Sequence, residues 1–379
     1  MADQTVLEIN LSALAHNYRA LRSKLKATTK FLAVVKAQAY GHDPDPIIHK
    51  LDELGVDYYG VAYAQEGAQI RSTGTKKPIL LLHPMPVHFD LIVAHNLEPS
   101  IYSLDLLREW TAYLRSKSIK RYPTHLKFNS GLNRLGVTHR DIDQLAEIFS
   151  NTDSIELLSV FSHLAASDDP DEAAYTREQM QRYDDFFADL VQKIDLSEKG
   201  SAESEVPANK PWRHLLNTSG VLHYPEGQHD MVRCGIGLYG YGNAPEKDLL
   251  LRPVAALKAP IVQLHHLQKG ESVGYNRAYV CQHPSIIATL PLGHADGLPR
   301  IYGQKAGFVW INGQKAPIVG NVCMDMIMVD VTEIDCRYGD VAIIFDADHG
   351  AQSLAEAAGT ISYELLTGLS KRIKRVITP

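Results

Sequence analysis

Eight short apolar runs alternate with amphipathic helical patterns between residues 31 and 240 of this 379-residue chain. Short apolar runs are typical of buried strands in a parallel sheet, and helices are the usual connections between such strands. The pattern predicts a (β/α)8 barrel, preceded by an amphipathic helix at residues 11–25. The predicted strands are residues 31–35, 58–62, 79–83, 98–102, 124–128, 155–163, 213–217 and 231–235, and the clearest helices between them are 46–54, 104–117, 140–149 and 172–194.

Polar and cationic residues stand at the carboxyl ends of five of these predicted strands. In β/α barrels, strand ends and the loops that follow them form the active site. A lysine partly removed from water at such a place has a lowered pKa and can form a Schiff base with a carbonyl group. Lys36, in FLAVVKAQAYGH after the first strand, is therefore a catalytic candidate. The other candidates at the rim are Lys127, Arg134, His163, Asn217, Thr218, Arg233 and Gly235.

The sequence pattern changes after residue 250, where short predicted strands and turn residues replace the helical patterns. Asn312-Gly313 is a hairpin signal between two of these strands. We therefore predict a barrel domain at residues 1–243 and a C-terminal all-β domain at residues 244–379. A terminal helix, predicted at residues 363–376, would return to the barrel. The polar segment at residues 196–211 is predicted to be a flexible excursion before the seventh strand.

Composition and charge argue against several classes of protein. A net charge of −6 and a pI near 6.3 give no sign of nucleic-acid binding. We expect no membrane span and no signal peptide, because no run approaches about 20 apolar residues and the N-terminus is neither basic nor apolar. The four cysteines are scattered, so we predict no disulfide framework and no metal site, and we expect a cytoplasmic protein. The basic run KRIKR is interpreted as the C-terminus of a helix.

Nine segments of the chain resemble sequence motifs of the alanine racemase family, and they occur in the family's order from about Val6 to the C-terminus. Each segment alone is a weak signal, but nine in order cover nearly the whole chain. The resemblance is to fold-type III enzymes that use pyridoxal 5'-phosphate (PLP). The segments are AVVKAQAYGHD, LKFNSGLNRLG, FSHLAASDDPD, LLNTSG, MVRCGIGLYG, VGYNRAY, ATLPLGHADGLPR, PIVGNVCMDM and SYELLTGLSKRIKR.

The resemblance implies a fold, a cofactor and an activity. It implies a barrel, a C-terminal β domain and a homodimer that interconverts L- and D-alanine through an external aldimine with PLP, supplying D-alanine for peptidoglycan. Lys36 would hold PLP as a Schiff base, while Arg134 and Met324 would approach the substrate carboxylate. The implied cofactor-binding residues are Lys36, Tyr40, His163, Asn217, Thr218, Arg233, Gly235, Ile236 and Tyr363.

Racemisation needs a proton-transferring group on each face of a planar carbanion. The motif VGYNRAY implies that Tyr275 is the second base beside Lys36, and the resemblance implies that it comes from the partner subunit. Lys127 corresponds to a position that is often carbamylated in the family. The carbamate would add a negative charge that fixes Arg134, whereas an unmodified lysine would repel it.

Some positions depart from the family pattern. Gln38 replaces an asparagine after the catalytic lysine, and Asn129-Ser130 replaces Asp-Thr. His294 replaces a tyrosine near the substrate entrance, and Asn321 replaces an arginine before CMDM. These departures leave a serine racemase or a broader small amino-acid racemase open. A fold-type III decarboxylase is a further alternative, and Arg233 argues against it.

Overall fold

The computed structural model describes residues 4–194, 210–242 and 250–378 of the chain. Strand β1 (Val6–Asn10) and helix α1 (Leu11–Arg22) come first. Within the described ranges, eight parallel strands then close into a barrel in sequence order. These strands are β2 (Lys30–Val34), β3 (Tyr58–Val61), β4 (Ile79–Leu81), β5 (Glu98–Ile101), β6 (Tyr122–Lys127), β7 (Ile155–Phe161), β8 (Trp212–His214) and β9 (Met231–Cys234).

The predicted barrel is confirmed, and every predicted strand agrees with the structure to within three residues at either end. Helices cover the outside of the strands, as the helix α5 (Leu104–Ser116) illustrates. Its Leu107, Trp110 and Leu114 recur at helical spacing and are buried, while the hydroxyl of Ser103 accepts a hydrogen bond from the Leu106 amide and caps the first turn. The barrel helices are α2 (Pro44–Glu53), α3 (Ala64–Ser72), α4 (Phe89–Ala94), α5 (Leu104–Ser116), α6 (Ile142–Ser150), α7 (Ala173–Lys193) and α8 (Thr218–His223).

The last third of the chain folds as the predicted β domain. Asn312 and Gly313 have φ of +49° and +75° and join two antiparallel strands, so the hairpin prediction is confirmed. The elements are β10 (Ala255–Pro260), β11 (Gln263–Leu267), β12 (Ser272–Val273), β13 (Tyr279–Val280), β14 (Ser285–Leu290), β15 (Phe308–Ile311), β16 (Gln314–Val319), β17 (Ile327–Asp330), β18 (Val341–Phe345), α9 (Ala351–Ala357), α10 (Ser362–Thr367) and β19 (Lys374–Thr378).

The strand order of the large sheet joins the two ends of the chain. Among the described residues the order is β11-β14-β17-β16-β15-β18-β10-β1-β19. Strand β1 pairs antiparallel with β10 and parallel with β19. Residues 6–10 therefore lie in the sheet of the β domain, although the predicted division at residue 243 groups them with the barrel. That division falls in residues 243–249, and most of the predicted excursion at 196–211 falls in residues 195–209, both outside the described residues.

The predicted terminal helix at residues 363–376 is wrong in its second half. Helix α10 ends at Thr367, Gly368 follows, and the basic run continues into β19. The partner of β19 is β1, more than 360 residues earlier, so the local sequence gave no sign of the pairing. Arg375 donates hydrogen bonds to the carbonyl oxygens of Ile373 and Gly41, at 2.8 and 2.9 Å. The basic run therefore ties the C-terminus to the barrel instead of ending a helix.

Candidate active site

Lys36 is half-buried after β2, and the backbone that follows it is unusual. Residues 37–40 have φ between +51° and +57°, and Gly41 continues at +83°. Left-handed helical backbone costs an L-residue about 1–2 kcal/mol. A turn of left-handed helix thus starts one residue after Lys36, and strain of this kind is concentrated at functional sites.

Two side chains hold this left-handed turn. One carboxylate oxygen of Glu66 accepts a hydrogen bond from the Ala37 amide at 2.6 Å, and the other accepts from two amides after β3. The Nδ1 atom of buried His42 lies 3.0 Å from the carbonyl oxygen of Ala39 and 2.9 Å from that of Tyr40, so Nδ1 carries the proton. Burial lowers the pKa of His42 to about 4, which keeps the imidazole neutral.

Two lysines at the rim have lowered pKa values. Burial, and next the charge of Arg134, lowers the pKa of Lys36, while Glu66 acts in the opposite direction. Lys127, at the end of β6, is 6% exposed, and burial lowers its pKa to about 8 with further lowering by Arg134 and Arg233. Near neutral pH both amines are therefore neutral more often than a surface lysine, and a neutral amine is the nucleophilic form.

Arg134 lies on the loop at residues 128–137, which closes onto the end of β6. The amide of Asn129 donates to the Val137 carbonyl, and the Val137 amide donates to the Lys127 carbonyl, both at 2.9 Å. The Asn129 side chain accepts from the Asn133 amide at 2.9 Å, so this departure from the family pattern serves to shape the loop. Arg134 is exposed near the tip.

A cradle of hydroxyls and backbone amides lies at the same rim. The Thr218 hydroxyl oxygen accepts from the amides of Gly235 and Gly237 at 3.1 and 3.3 Å, and Ile236 lies between them. A Cβ atom on Gly235 would collide with the hydroxyl of Tyr40, so a residue without a side chain is required there. Backbone N–H groups and hydroxyls arranged in this way can bind an anion.

Tyr363, the second residue of α10, joins this cradle from the β domain. Its ring centroid lies 6.1 Å from that of Tyr40, which in turn stacks on Tyr239 at 4.7 Å. Burial, and next the neighbouring Tyr363, raises the pKa of Tyr40, so this phenol keeps its proton and can donate it in a hydrogen bond. Helix α10 therefore does return to the barrel rim.

Asn217 acts as the N-cap of α8. Its side-chain oxygen accepts from the Gly220 amide at 2.9 Å and from the Ser167 hydroxyl at 2.9 Å. These bonds orient the helix that begins with Thr218. The contribution of Asn217 to cofactor binding stays a prediction.

Arg233, late in β9, is 4% exposed and held by several acceptors. Nη1 donates to His214 Nδ1 at 2.7 Å, and Nη2 donates to the carbonyl oxygens of Ser162 and Leu215 at 2.6 and 2.9 Å. Nη2 also lies 3.3 Å from His163 Nδ1. Burial lowers the pKa of Arg233 to about 10, so it stays charged at neutral pH. No residue that the structure describes accepts from its Nε.

His163 is surrounded by positive charge. Burial, followed by Arg233, Arg134 and Lys127, holds the pKa of His163 well below its usual value. Its imidazole is therefore neutral and can accept a hydrogen bond from Arg233. The charges of Lys36, Lys127, Arg134 and Arg233 all lower the pKa of His163, so the barrel strands bring these predicted rim cations close together.

Tyr275 and Met324 lie in another part of the molecule. Their side chains are 70% and 58% exposed, and both line a groove of about 910 Å³. Every residue that lines this groove belongs to the β domain, so the groove shares none with the barrel rim. Asn321 donates from Nδ2 to the Tyr275 carbonyl at 3.1 Å. This departure from the family pattern holds the turn that carries Tyr275.

Two further departures lie in hydrogen-bonded segments. The Gln38 side chain donates from Nε2 to Gln69 Oε1 at 3.1 Å. The backbone amide of His294 donates to the Cys323 carbonyl at 2.9 Å and supports the loop that carries Met324, but this bond does not depend on the His294 side chain.

Sequence reasoning missed three residues that shape the site. Glu66 and His42 hold the turn after Lys36, and His214 holds Arg233. His214 had a readable signal, because it is a titratable residue inside a predicted buried strand. The contacts of Glu66 and His42 depend on the left-handed turn, which the sequence does not reveal.

Residues 4–194, 210–242 and 250–378 contain neither a candidate metal-binding cluster nor a candidate membrane-spanning helix. No three or more His, Cys, Asp or Glu side chains there are grouped so that they could hold a metal ion. Within the same residues, no helix has the length and apolar character needed to cross a membrane.

The family profile "Alanine racemase, N-terminal domain" matches residues 9–243, and the profile "Alanine racemase, C-terminal domain" matches residues 254–377. The chain belongs to the alanine racemase family. It is 34% identical to alanine racemase 2 of Caldanaerobacter subterraneus, over 98% of this chain and 94% of the relative. It is also 34% identical to the alanine racemase of Halothermothrix orenii, over 98% and 96% of the two chains.

Solved alanine racemases have the same fold as this family member. The structure from Streptomyces coelicolor has a TM-score of 0.90 at 28% identity, covering 99% of this chain and 98% of that one. The structure from Bartonella henselae, described as having covalently bound pyridoxal phosphate, has a TM-score of 0.87 at 28% identity and covers 99% of both chains.

Proposed function

We propose that this protein is an alanine racemase that uses PLP and interconverts L- and D-alanine. One observation carries the proposal: a lysine with a lowered pKa lies at the same barrel rim as an uncharged cradle of hydroxyls and amides. The relatives named above are described as alanine racemases, and membership of the same family supports the same activity for this chain. D-Alanine for peptidoglycan is the proposed use, and the four free cysteines suit a reducing cytoplasm.

The residues at the rim fit PLP. A phosphate group suits the cradle of Thr218, Gly235 and Tyr40, because their N–H and O–H groups can donate hydrogen bonds to it and the missing side chain of Gly235 lets the Tyr40 hydroxyl come close. Lys36 supplies the amine for a Schiff base. When bound, PLP supplies an electron sink for the negative charge that develops at the α-carbon of the amino acid.

Arg233 is the residue proposed to face the pyridine nitrogen. Its Nη atoms are held by His214 and by carbonyl oxygens, and Nε would be the donor to the pyridine nitrogen. An arginine donates a hydrogen bond without giving up its proton. The ring would stay unprotonated and draw less charge away from the α-carbon, which favours reprotonation over transamination. Arg233→Glu should raise transamination side products, and unchanged side products would contradict this role.

Two residues are proposed to move the α-proton. Lys36, with its lowered pKa, takes or returns the proton on one face. Tyr275 of a second subunit acts on the other face, since the groove of Tyr275 and Met324 is exposed and lined only by the β domain. A homodimer would cover this groove with the barrel rim of its partner. Arg134 and Met324 would then approach the substrate carboxylate from two chains.

Lys127 is proposed to be carbamylated. Its pKa of about 8 supports this, because carbon dioxide reacts with a neutral amine. The charged side chains that lower this pKa, Arg134, Arg233 and Lys36, are all cations. A carbamate would neutralise part of that charge and accept hydrogen bonds from Arg134.

The experiment that tests the function has three stages on the same purified protein. We would record its visible absorption with PLP, reduce it with borohydride and map the labelled lysine, which should be Lys36. A separate portion that has not been reduced should bring the optical rotation of L-alanine to zero. L-Serine and carbon dioxide release are followed in parallel, because faster serine racemisation or decarboxylation would favour the alternatives. A protein that stays colourless with PLP would contradict the proposal.

A further inference from the structure

A chain of hydrogen-bonded side chains runs from the partly buried Glu98 through the barrel interior and ends on Arg233. Glu98 Oε2 lies 2.9 Å from His125 Nε2, and His125 Nδ1 lies 2.6 Å from the Ser159 hydroxyl. The same hydroxyl lies 2.8 Å from His214 Nε2, and His214 Nδ1 accepts from Arg233 at 2.7 Å. The five consecutive barrel strands from β5 to β9 contribute one residue each. We call these five residues the interior chain.

When both imidazoles are neutral, the ends of the interior chain fix the direction of every hydrogen bond in it. Arg233 can only donate, so His214 must accept at Nδ1 and carry its proton on Nε2. His214 then donates to Ser159, whose hydroxyl proton is free to point to His125 Nδ1. His125 consequently carries its proton on Nε2 and donates it to the carboxylate of Glu98. With both imidazoles neutral, this one arrangement of protons therefore satisfies all four links.

Burial makes each hydrogen bond of the interior chain costly to lose. His125, Ser159 and His214 are fully buried, so water cannot replace a lost partner. Among the described residues no carboxylate lies within ion-pair distance of Arg233, and Glu98 is the acid at the far end of the chain. Hydrogen bonds in a chain polarise one another, so the charge of Glu98 strengthens His214 as the acceptor for Arg233.

We propose that Glu98 and His125 are positioning residues that fix the proton arrangement of the interior chain and so hold Arg233 in one orientation at the active site. The proton arrangement of the interior chain is argued from hydrogen-bond geometry and does not depend on the proposed activity. The consequence for catalysis rests on the proposed racemase activity and on the role given there to Arg233. Neither Glu98 nor His125 reaches the barrel rim, so both act through His214.

Removal of Glu98 releases one end of the interior chain. With no acceptor at Nε2, His125 is free to carry its proton on Nδ1 and donate to Ser159 instead. Ser159 would then accept from both imidazoles and donate to neither. The polarisation of His214 toward Arg233 would be lost, although the fold keeps its shape. Glu98→Gln keeps an oxygen acceptor for His125 and should preserve the original arrangement.

The test compares Glu98→Met with Glu98→Gln by ¹⁵N NMR of histidine-labelled protein without PLP. In the unaltered protein, the Nε2 atoms of His125 and His214 should each carry a proton, and their Nδ1 atoms should carry none. Glu98→Met should shift the His125 proton toward Nδ1, and Glu98→Gln should not. Glu156→Met is the matched control, because it removes a carboxylate from the next strand but one, where Glu156 pairs with Arg121 at 3.4 Å outside the interior chain.

The second readout is the kinetics of the PLP-loaded enzyme. Loss of one polarised link should lower kcat about five- to tenfold in Glu98→Met and leave KM for L-alanine within about twofold, with Glu98→Gln close to the unaltered enzyme. Glu98 also interacts with the charge of Arg71, so the loss of Glu98 is expected to lower stability as well. If Glu98→Met fails to fold, Ser159→Ala breaks the interior chain in its middle and should give the same kinetic change.

Two results would overturn the proposal. One is a His125 in the unaltered protein that carries its proton on Nδ1, and the other is a histidine spectrum of Glu98→Met identical to that of Glu156→Met. The NMR measurement decides the proton arrangement even if the protein racemises no amino acid. A failure of the proposed function is therefore distinguishable from a failure of the positioning role.

Discussion

The barrel rim and the β-domain groove are built in opposite ways. The rim residues Lys36, Lys127 and Arg233 are partly or fully buried, and their pKa values are lowered by burial. Tyr275 and Met324 stand exposed on turns. The rim is thus buried and preorganised within one chain, whereas the groove is open to a partner. This difference is what the proposed shared site requires, because the groove would complete its site by contact with the rim of a second subunit.

The largest effects should come from removing one proton-transferring residue from each region. Lys36→Ala and Tyr275→Phe should each lower kcat by roughly 10³-fold or more, because general acid–base catalysis contributes about 10²–10⁴-fold. Racemisation is measured in both directions by optical rotation. The exposed Tyr338→Phe, on the surface of the β domain, is the control and should keep full activity. If Tyr275→Phe kept its activity, the proposal that Tyr275 transfers a proton would be contradicted.

The crowded backbone of the rim should tolerate no added methyl group. Gly235→Ala should weaken PLP affinity roughly 10- to 100-fold, because overpacking costs about 1–3 kcal/mol and Tyr40 is held by stacking on Tyr239. PLP binding is followed by visible absorption. Gly350→Ala should bind PLP normally, since its added Cβ would meet only Tyr241 at 3.9 Å. Equal affinity of the two variants would show that Gly235 is not close to the phosphate.

The burial of Lys127 should appear in stability as a function of pH. An unmodified Lys127 has a pKa of about 8 when folded and near 10.5 when unfolded. The unfolded state then binds more protons between those values, so the free energy of unfolding rises with pH, by about 3 kcal/mol at most. A carbamylated lysine lacks this rise. Urea unfolding from pH 7.5 to 10.5, compared with Lys127→Met, distinguishes the unmodified from the carbamylated lysine. We expect no rise in the free energy of unfolding while bicarbonate is present.

The smallest effect should come from the support of the groove. Asn321→Ala removes a hydrogen bond to the Tyr275 carbonyl, worth about 0.5–1.5 kcal/mol. Activity should fall by at most about tenfold, with an unchanged PLP spectrum. Asn312, which lies on a distant hairpin, provides the control variant Asn312→Gly. A loss of PLP absorption in Asn321→Ala would contradict the separation of rim and groove.

The same contrast explains what the sequence could predict. Lys36, Lys127 and Arg233 stand at the ends of apolar strands, and parallel strands that alternate with helices bring their ends to one rim, so local pattern was sufficient. The β domain depends on pairings between distant segments. The parallel pairing of β1 with β19, which replaced the predicted terminal helix, joins residues at opposite ends of the chain.

Local pattern also failed where backbone strain decides the structure. Nothing in KAQAY indicates four successive residues with positive φ, since only the glycine that follows favours that conformation. Glu66 and His42 make this turn possible through hydrogen bonds that form only after folding. The role of Tyr275 was reached through motif resemblance, because an exposed tyrosine on a turn has no physical signal of its own.

Mixing the two inactive variants, Lys36→Ala and Tyr275→Phe, tests most directly whether two chains build each site. Random exchange of subunits makes half of the dimers mixed and leaves one intact site in each, so activity should recover to about a quarter of the unaltered level. Recovery should require time and conditions that permit exchange. A mixture that stays inactive after demonstrated exchange, or full activity in a sample of isolated single chains, would contradict the account.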